Sequence, residues 1–235
     1  MKHVIYCLMI LFVMACRPTS IDIVAPEYPD WTVIRAPENK TIMGVWGDLD
    51  NTLLISTLSA IYRSTDRGAN WQLVLKQSIG MFNVKAYRDT LFTLTSLVNG
   101  RYLTSADNYS IDDGKTWLPY RRYNPMFELT NVVDNSPAFL SINPVTTTSG
   151  ETYRIRRQFF PDSTATLGSF RTPGVITTTN RRINLPVSHQ LESLYIDGKN
   201  RLYITGSDNV CEEQPTFRFC NGGRGVVYIS KKPIP

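Results

Sequence analysis

Ser64-Thr65-Asp66-Arg67-Gly68-Ala69-Asn70-Trp71 and Ser110-Ile111-Asp112-Asp113-Gly114-Lys115-Thr116-Trp117 share the pattern S-x-D-x-G-x-x-W at an offset of 46 residues. Each suits a tight turn between two strands. Glycine accepts a positive φ that a Cβ resists, an Asp carboxylate takes backbone N–H bonds across the turn, and the Trp opens the next strand by packing on its neighbour.

Working outward, each motif closes a run of short apolar strands. The first unit is Ile42–Trp46, a turn over Gly47–Asn51, Thr52–Thr57 and Ala60–Ser64, followed by Trp71–Leu75. The second is Met81–Ala86, Thr90–Thr95 and a strand within Tyr102–Ser110, followed by Trp117–Tyr120. Two more units lack the motif. One is Leu129–Val133, Ala138–Ile142 and Thr152–Ile155, with an outer strand at Ala165–Phe170; Pro161-Asp162-Ser163-Thr164 makes its turn without matching the pattern. The other is Leu191–Ile196, Arg201–Thr205 and Gly225–Ser230. Anchors at Leu53, Leu91, Ala138 and Leu202 give intervals of 38, 47 and 64 residues. Repeats of ~40–50 residues, with even strands and Gly, Asn and Asp turns, predict an all-β protein built as a small β-propeller. Four blades are favoured and five are possible, because Gly174–Asn184 is either an extra hairpin or part of a fifth blade.

The last unit ends at Ser230, and Lys231–Pro235 stands where a turn and a Trp strand are due. Asp30-Trp31-Thr32-Val33-Ile34 is an outer strand with no unit before it. The two are expected to pair and close the ring, which removes exposed β edges. An open sheet with two loose ends is the competing arrangement.

The paired motif resembles the Asp-box, or BNR repeat, of sialidase-like, photosystem-assembly and sortilin-type propellers. That resemblance implies that Ser64, Asp66, Gly68, Trp71, Ser110, Asp112, Gly114 and Trp117 are structural residues on the rim. It also raises an exo-sialidase or related glycoside hydrolase as a functional alternative. Sialidases grip the substrate carboxylate with three arginines, the first in a Phe/Tyr-Arg-Ile-Pro motif. Ile34-Arg35-Ala36-Pro37 keeps only the Arg and the Pro.

Composition sets the wider frame. Of 235 residues, 42% are hydrophobic and 19% charged, which excludes a disordered or low-complexity chain. Met1–Ala15 has a basic start and an uncharged run from Val4 to Ala15. That is a signal peptide, too short to span a bilayer. Val13-Met14-Ala15-Cys16 resembles the bacterial lipobox, which makes Cys16 the lipidation site; ordinary cleavage near Ala15 is the other reading. Residues 16–29, with three prolines, form a tether, and 30–235 form the propeller domain. Loss of residues 1–15 removes one Lys and leaves 24 basic against 20 acidic residues, a net of +4. The pairs Arg121-Arg122, Arg156-Arg157 and Arg181-Arg182 lie far apart and read as solvated surface, so no nucleic-acid partner is expected.

Cys211 and Cys220 remain as the pair for a disulfide in an oxidising compartment. The rival is a metal site, but nine residues is not a zinc spacing and His189 is the one histidine left. No phosphate loop, nucleophile elbow or metal-ligand cluster is present. No catalytic residue, cofactor or metal is therefore assigned. The expected protein is a monomeric, exported lipoprotein of the bacterial cell envelope, held to a membrane by its anchor. Its propeller acts as a non-catalytic module binding a glycan or an envelope protein, or as a scaffold for an envelope complex. Trp46, Tyr87, Tyr120, Arg121, Arg122 and Tyr123 are of a type to line such a face but are not singled out as a site.

Overall fold

The computed structural model describes residues 27–78, 80–120, 140–160, 168–212, 218–220 and 223–235. Residues 1–15, expected as a signal segment, Cys16 and most of the expected tether lie outside these residues, as do Leu129–Val133, Ala138 and Phe139. Four antiparallel sheets make four blades. Blade 1 runs β2 (Gly44–Gly47), β3 (Leu53–Ser56), β4 (Ala60–Ser64), β5 (Gln72–Lys76) from inside to outside. Blade 2 is β6 (Asn83–Tyr87), β7 (Thr90–Val98), β8 (Tyr102–Ser110), β9 (Leu118–Pro119). Blade 3 is β10 (Val145–Thr146), β11 (Thr152–Phe159), β12 (Phe170–Thr177), β13 (Arg182–Ile183). Blade 4 takes β14 (His189–Ile196), β15 (Leu202–Glu212) and β17 (Val226–Ser230) from the end of the chain and β1 (Trp31–Arg35) from its start.

The ring closes through β1. It pairs antiparallel with β17 from Trp31 opposite Ser230 to Arg35 opposite Val226, so β17 has a partner on both sides. Strand alternation then supplies two apolar faces per blade. In β3, Leu53 and Ile55 pack with Ile34, Tyr203, Val227 and Ile229 at the blade 4–blade 1 junction, while Leu54 turns the other way onto Met81, Val84 and Leu91 of blade 2. Tyr153, Ile155 and Val175 join Leu194, Ile204 and Tyr228 between blades 3 and 4.

The junction of blades 2 and 3 is different. Blade 2 presents Leu94, Leu103 and Ala106, but what covers them is Leu140 and Ile142 rather than a strand of blade 3. These residues are tied on both sides: Ile142 N donates to Arg101 O (2.9 Å), and Leu194 N of β14 donates to Ile142 O (2.8 Å). Ser141 forms an isolated bridge with Tyr102.

The third blade is thus placed differently from the sequence expectation. Leu140–Ile142 is a wedge and not a blade strand, and Thr152–Phe159 is the second strand rather than the third. Gly174–Asn184 belongs to β12 and β13 of this blade, and Phe170 opens β12 instead of ending an outer strand; residues 165–167 lie outside the described set. The cause is physical. One face of β11 fronts an open cleft and carries Arg154 and Arg156 where other blades carry aliphatic residues, so it lacks the two-sided apolar signature of a buried strand.

Beyond blade 4, β15 runs on to pair with β16 (Arg218–Phe219). Cys211 and Cys220 join the two as a disulfide with a Cα separation of 5.2 Å.

Candidate functional site

The two S-x-D-x-G turns have matching internal wiring. Ser64 Oγ donates to Asp66 Oδ1 (2.8 Å) and accepts from Gly68 N (2.9 Å), while the Asp66 carboxylate accepts from Asn70 N and Nδ2 (2.9 and 2.7 Å). In the second turn Ser110, Asp112, Gly114 and Thr116 repeat these bonds at 2.8, 3.0, 2.9 and 2.6 Å. These bonds hold both carboxyls at about 2, the leading cause being Asn70 N for Asp66 and the Thr116 hydroxyl for Asp112. Gly68 and Gly114 sit at φ of 82° and 75°. A Cβ there would come within 2.9 Å of Ile34 on β1 and 2.8 Å of Leu54 on β3, respectively. Each turn therefore nests on the preceding blade, with its carboxylate committed to its own backbone. Trp117 Nε1 donates to Gly114 O (3.2 Å), whereas the buried Trp71 Nε1 has no partner among the described residues.

Turns on the same side lock blade 4 to blade 1. Arg201 Nε bonds Asp197 (2.7 Å), and its two terminal nitrogens bond Asp50 (2.8 Å) and Asp48. Lys199 also reaches Asp48 and Asp50, at 3.0 and 2.8 Å. With Arg67 near Asp50 at 3.4 Å, three carboxylates face three cations. Among the described residues this network is balanced in charge. His189 is likewise a core residue, between Ser207 O (3.0 Å) and Tyr228 Oη (2.8 Å), with burial lowering its pKa. Arg35 lies on β1, the outermost strand of blade 4, and bonds only at 3.4 and 3.5 Å to Asn209 Oδ1 and Arg224 O. Among the described residues no group of His, Cys, Asp and Glu is placed to hold a metal.

Among the openings that more than one blade builds, two lie beside the wedge. The first is the axial funnel, about 490 Å³, walled by Trp46 of β2, Lys85 of β6, Tyr102 of β8, Thr146 of β10 and Tyr195 of β14. The second is a cleft of about 700 Å³ at the wedge between blades 2 and 3, lined by Asn99, Arg101, Asn143, Arg154, Arg156, Arg157 and Phe159. Pro144 borders both.

Four guanidinium groups line the cleft. Tyr153 and Ile155 point into the blade 3–blade 4 core, so alternation turns Arg154 and Arg156 outward. Pairing of β11 with β12 is irregular between Arg156 and Gln158, and there Arg157 joins the same opening. Arg157 is anchored: it donates to Gly100 O (3.0 Å), lies 4.8 Å over the Phe170 ring, and partly offsets the burial that pushes the Glu192 carboxyl up to about 7. Arg101, Arg154 and Arg156 are exposed, and among the described residues none of them meets a carboxylate.

Sequence reading placed Arg156-Arg157 on solvated surface; the fold gathers both with Arg154 and Arg101 into one cleft. The available signal was Arg at 154, 156 and 157 within one strand, a spacing that puts charge on a face the other blades bury. Of the aromatic residues noted, Trp46 lines the funnel, Tyr87 and Tyr120 pack against blade 2, and Arg121, Arg122 and Tyr123 lie outside the described residues.

No family model matches the chain, and no curated protein does. Among solved structures it is similar to the extracellular domain of a B. thetaiotaomicron protein described as a one-component system, at 8% identity and a TM-score of 0.36 over 87% of this chain and 42% of that one. It is similar also to YCF48 bound to D1 peptide, at 13% identity and a TM-score of 0.27 over 77% and 67% of the two chains. A luciferin-regenerating enzyme matches at 11% and 0.28, over 79% and 59%. The chain spans well under two thirds of the first and last of these. The fold stands on its own strand order, and no residue role is carried over from these proteins.

Proposed function

We propose that this chain is an exported binding module, held at a bacterial envelope through Cys16, whose ligand is acidic and seats in the arginine cleft between blades 2 and 3. One observation carries the reading: Arg101, Arg154 and Arg156 share one opening and, among the described residues, have no acid beside them. Elsewhere the same chain balances its cations, as Arg201 and Lys199 show against Asp48, Asp50 and Asp197. Like charges drawn together without a counter-charge repel, and planar guanidinium forks match carboxylates in pairs. Asn99, Asn143 and Phe159 add amide and ring contacts to the seat.

Topology supports the orientation. The chain enters blade 4 at Trp31, on the side of the S-x-D-x-G turns, whereas Asn99 and Arg101 flank the β7–β8 turn on the opposite side. An anchor upstream of Trp31 leaves the cleft facing away from the membrane. The exo-sialidase alternative gains no support, since its one candidate, Arg35, stands on the outer rim.

The test is binding of the full chain to arrays of acidic glycans and acidic peptides, against uncharged counterparts. Retention of one acidic class, weakened at least tenfold in Arg154→Ala/Arg156→Ala and by raised salt, is expected. Equal retention of neutral ligands, or an unaffected double variant, would overturn the cleft as the seat.

A further inference from the structure

The axial funnel holds a cation with no anion beside it among the described residues. Lys85 lies on β6, the inner strand of blade 2, and Trp46, Tyr102 and Tyr195 from three other strands stand around it. Lys85 is partly buried, and among the described residues its amine donates one hydrogen bond, to Ser141 O at 3.1 Å. The carboxylates on the elements packed here face other cations. On β14, Glu192 is engaged with Arg157 and Asp197, at the end of the strand, with Arg201. At the turn after β2, Asp48 is engaged with Arg201 and Lys199. On β8 and β14 the titratable groups in the wall are Tyr102 and Tyr195, and burial pushes the Tyr195 phenol up to about 12, so it stays neutral. β10 contributes Val145 and Thr146.

A partly buried ammonium with no counter-ion among the described residues costs free energy, and its desolvation draws the Lys85 amine down to about 8. At neutral pH it still carries most of its charge. A cavity of about 490 Å³ falls within the range of small-molecule sites. Its walls offer three aromatic faces, and Thr146 adds a hydroxyl.

We propose that the axial funnel is a second binding site, for a small ring-bearing monocarboxylate whose carboxylate pairs with Lys85 and whose ring lies against Trp46, Tyr102 and Tyr195. The ring is a sugar acid or an aromatic acid; both bring the same carboxylate. This site is independent of the arginine cleft.

Calorimetry on the full chain with glucuronate and with benzoate separates the two sources, and glucose and benzyl alcohol serve as uncharged controls. One of the two acids is expected to bind and its control not to. Lys85→Met is expected to weaken that binding at least tenfold, while Arg154→Ala/Arg156→Ala changes it less than twofold. Pairing raises the amine's pKa, so binding near pH 8 takes up protons from buffer, and affinity falls as pH rises above about 8. Without ligand, Lys85→Met is expected to melt at or above the wild-type temperature, because a thioether of similar length removes a partly buried charge with no counter-ion among the described residues. Binding of neither acid, equal binding of the controls, insensitivity to Lys85→Met, or a lowered melting temperature in that variant would each overturn the proposal.

Discussion

Asp48 sits at the turn after β2, and its carboxylate accepts from Arg201, Lys199 and the backbone amide of Asp50. Burial works against its ionisation, but these bonds together hold it at about 2, against 3.8 for a free Asp. A depressed carboxyl contributes stability that is complete above the unfolded value and lost as pH falls through the folded one. The wild type should therefore lose stability between pH 4 and 2. Asp48→Asn should flatten that limb and cost on the order of 1–2 kcal/mol at neutral pH, read by urea unfolding at several pH values. An unchanged acid limb would show that the rim network does not hold blade 4 to blade 1. Asp66 and Asp112 share the low value for a different reason, their bonds being local to one turn.

At the scale of elements, the blade 4 turn is divided between the two ends of the ring. Trp31 stands opposite Ser230, as the registers Arg63–Gln72 and Tyr109–Leu118 place Trp71 by Ser64 and Trp117 by Ser110. All three serines are buried. Three blades thus carry the same serine–tryptophan pairing, and in blade 4 the connecting turn is cut. Trp31 packs edge-on against Tyr228 at 6.1 Å, and both Trp31 and Trp71 are half-buried. Trp31→Ala and Trp71→Ala should then cost similar amounts, about 2–3 kcal/mol each, below the ~3–5 of a fully buried aromatic. Thermal unfolding of both variants checks this, and a neutral Trp31 change would argue that β1 adds little to closure. The third blade was poorly legible for the reason visible in β11. Its alternation is sound, but arginine fills one face, and apolar patterning detects strands only where a neighbour covers them.

For the whole molecule, longer hairpins rise from one side of the disc. β7–β8, β11–β12 and β15 run eight to eleven residues, whereas β3 and β4 have four and five. That side carries the mouth of the arginine cleft, and the chain enters blade 4 from the other. Palmitate should label the wild type and not Cys16→Ser. Protein anchored on lipid vesicles should bind the cleft's acidic ligand as well as the soluble Cys16→Ser form. Equal labelling would remove the anchor, and blocked binding on vesicles would reverse the orientation.

The residues alone determined what depends on neighbours in the chain. Two S-x-D-x-G turns, the even strands around them and a stray outer strand led by Trp31 specified blades and their closure, because turn chemistry and strand alternation act over a few residues. The pair Cys211 and Cys220 did the same for the disulfide. Tertiary structure decided what depends on which faces meet. Among the described residues blade 3 does not lie flush on blade 2, so Arg101 is brought to Arg154 and Arg156 across a cleft, and Lys85 stands among strands of separate blades. Burial and uncompensated charge are properties of that assembly, and the linear sequence does not carry them.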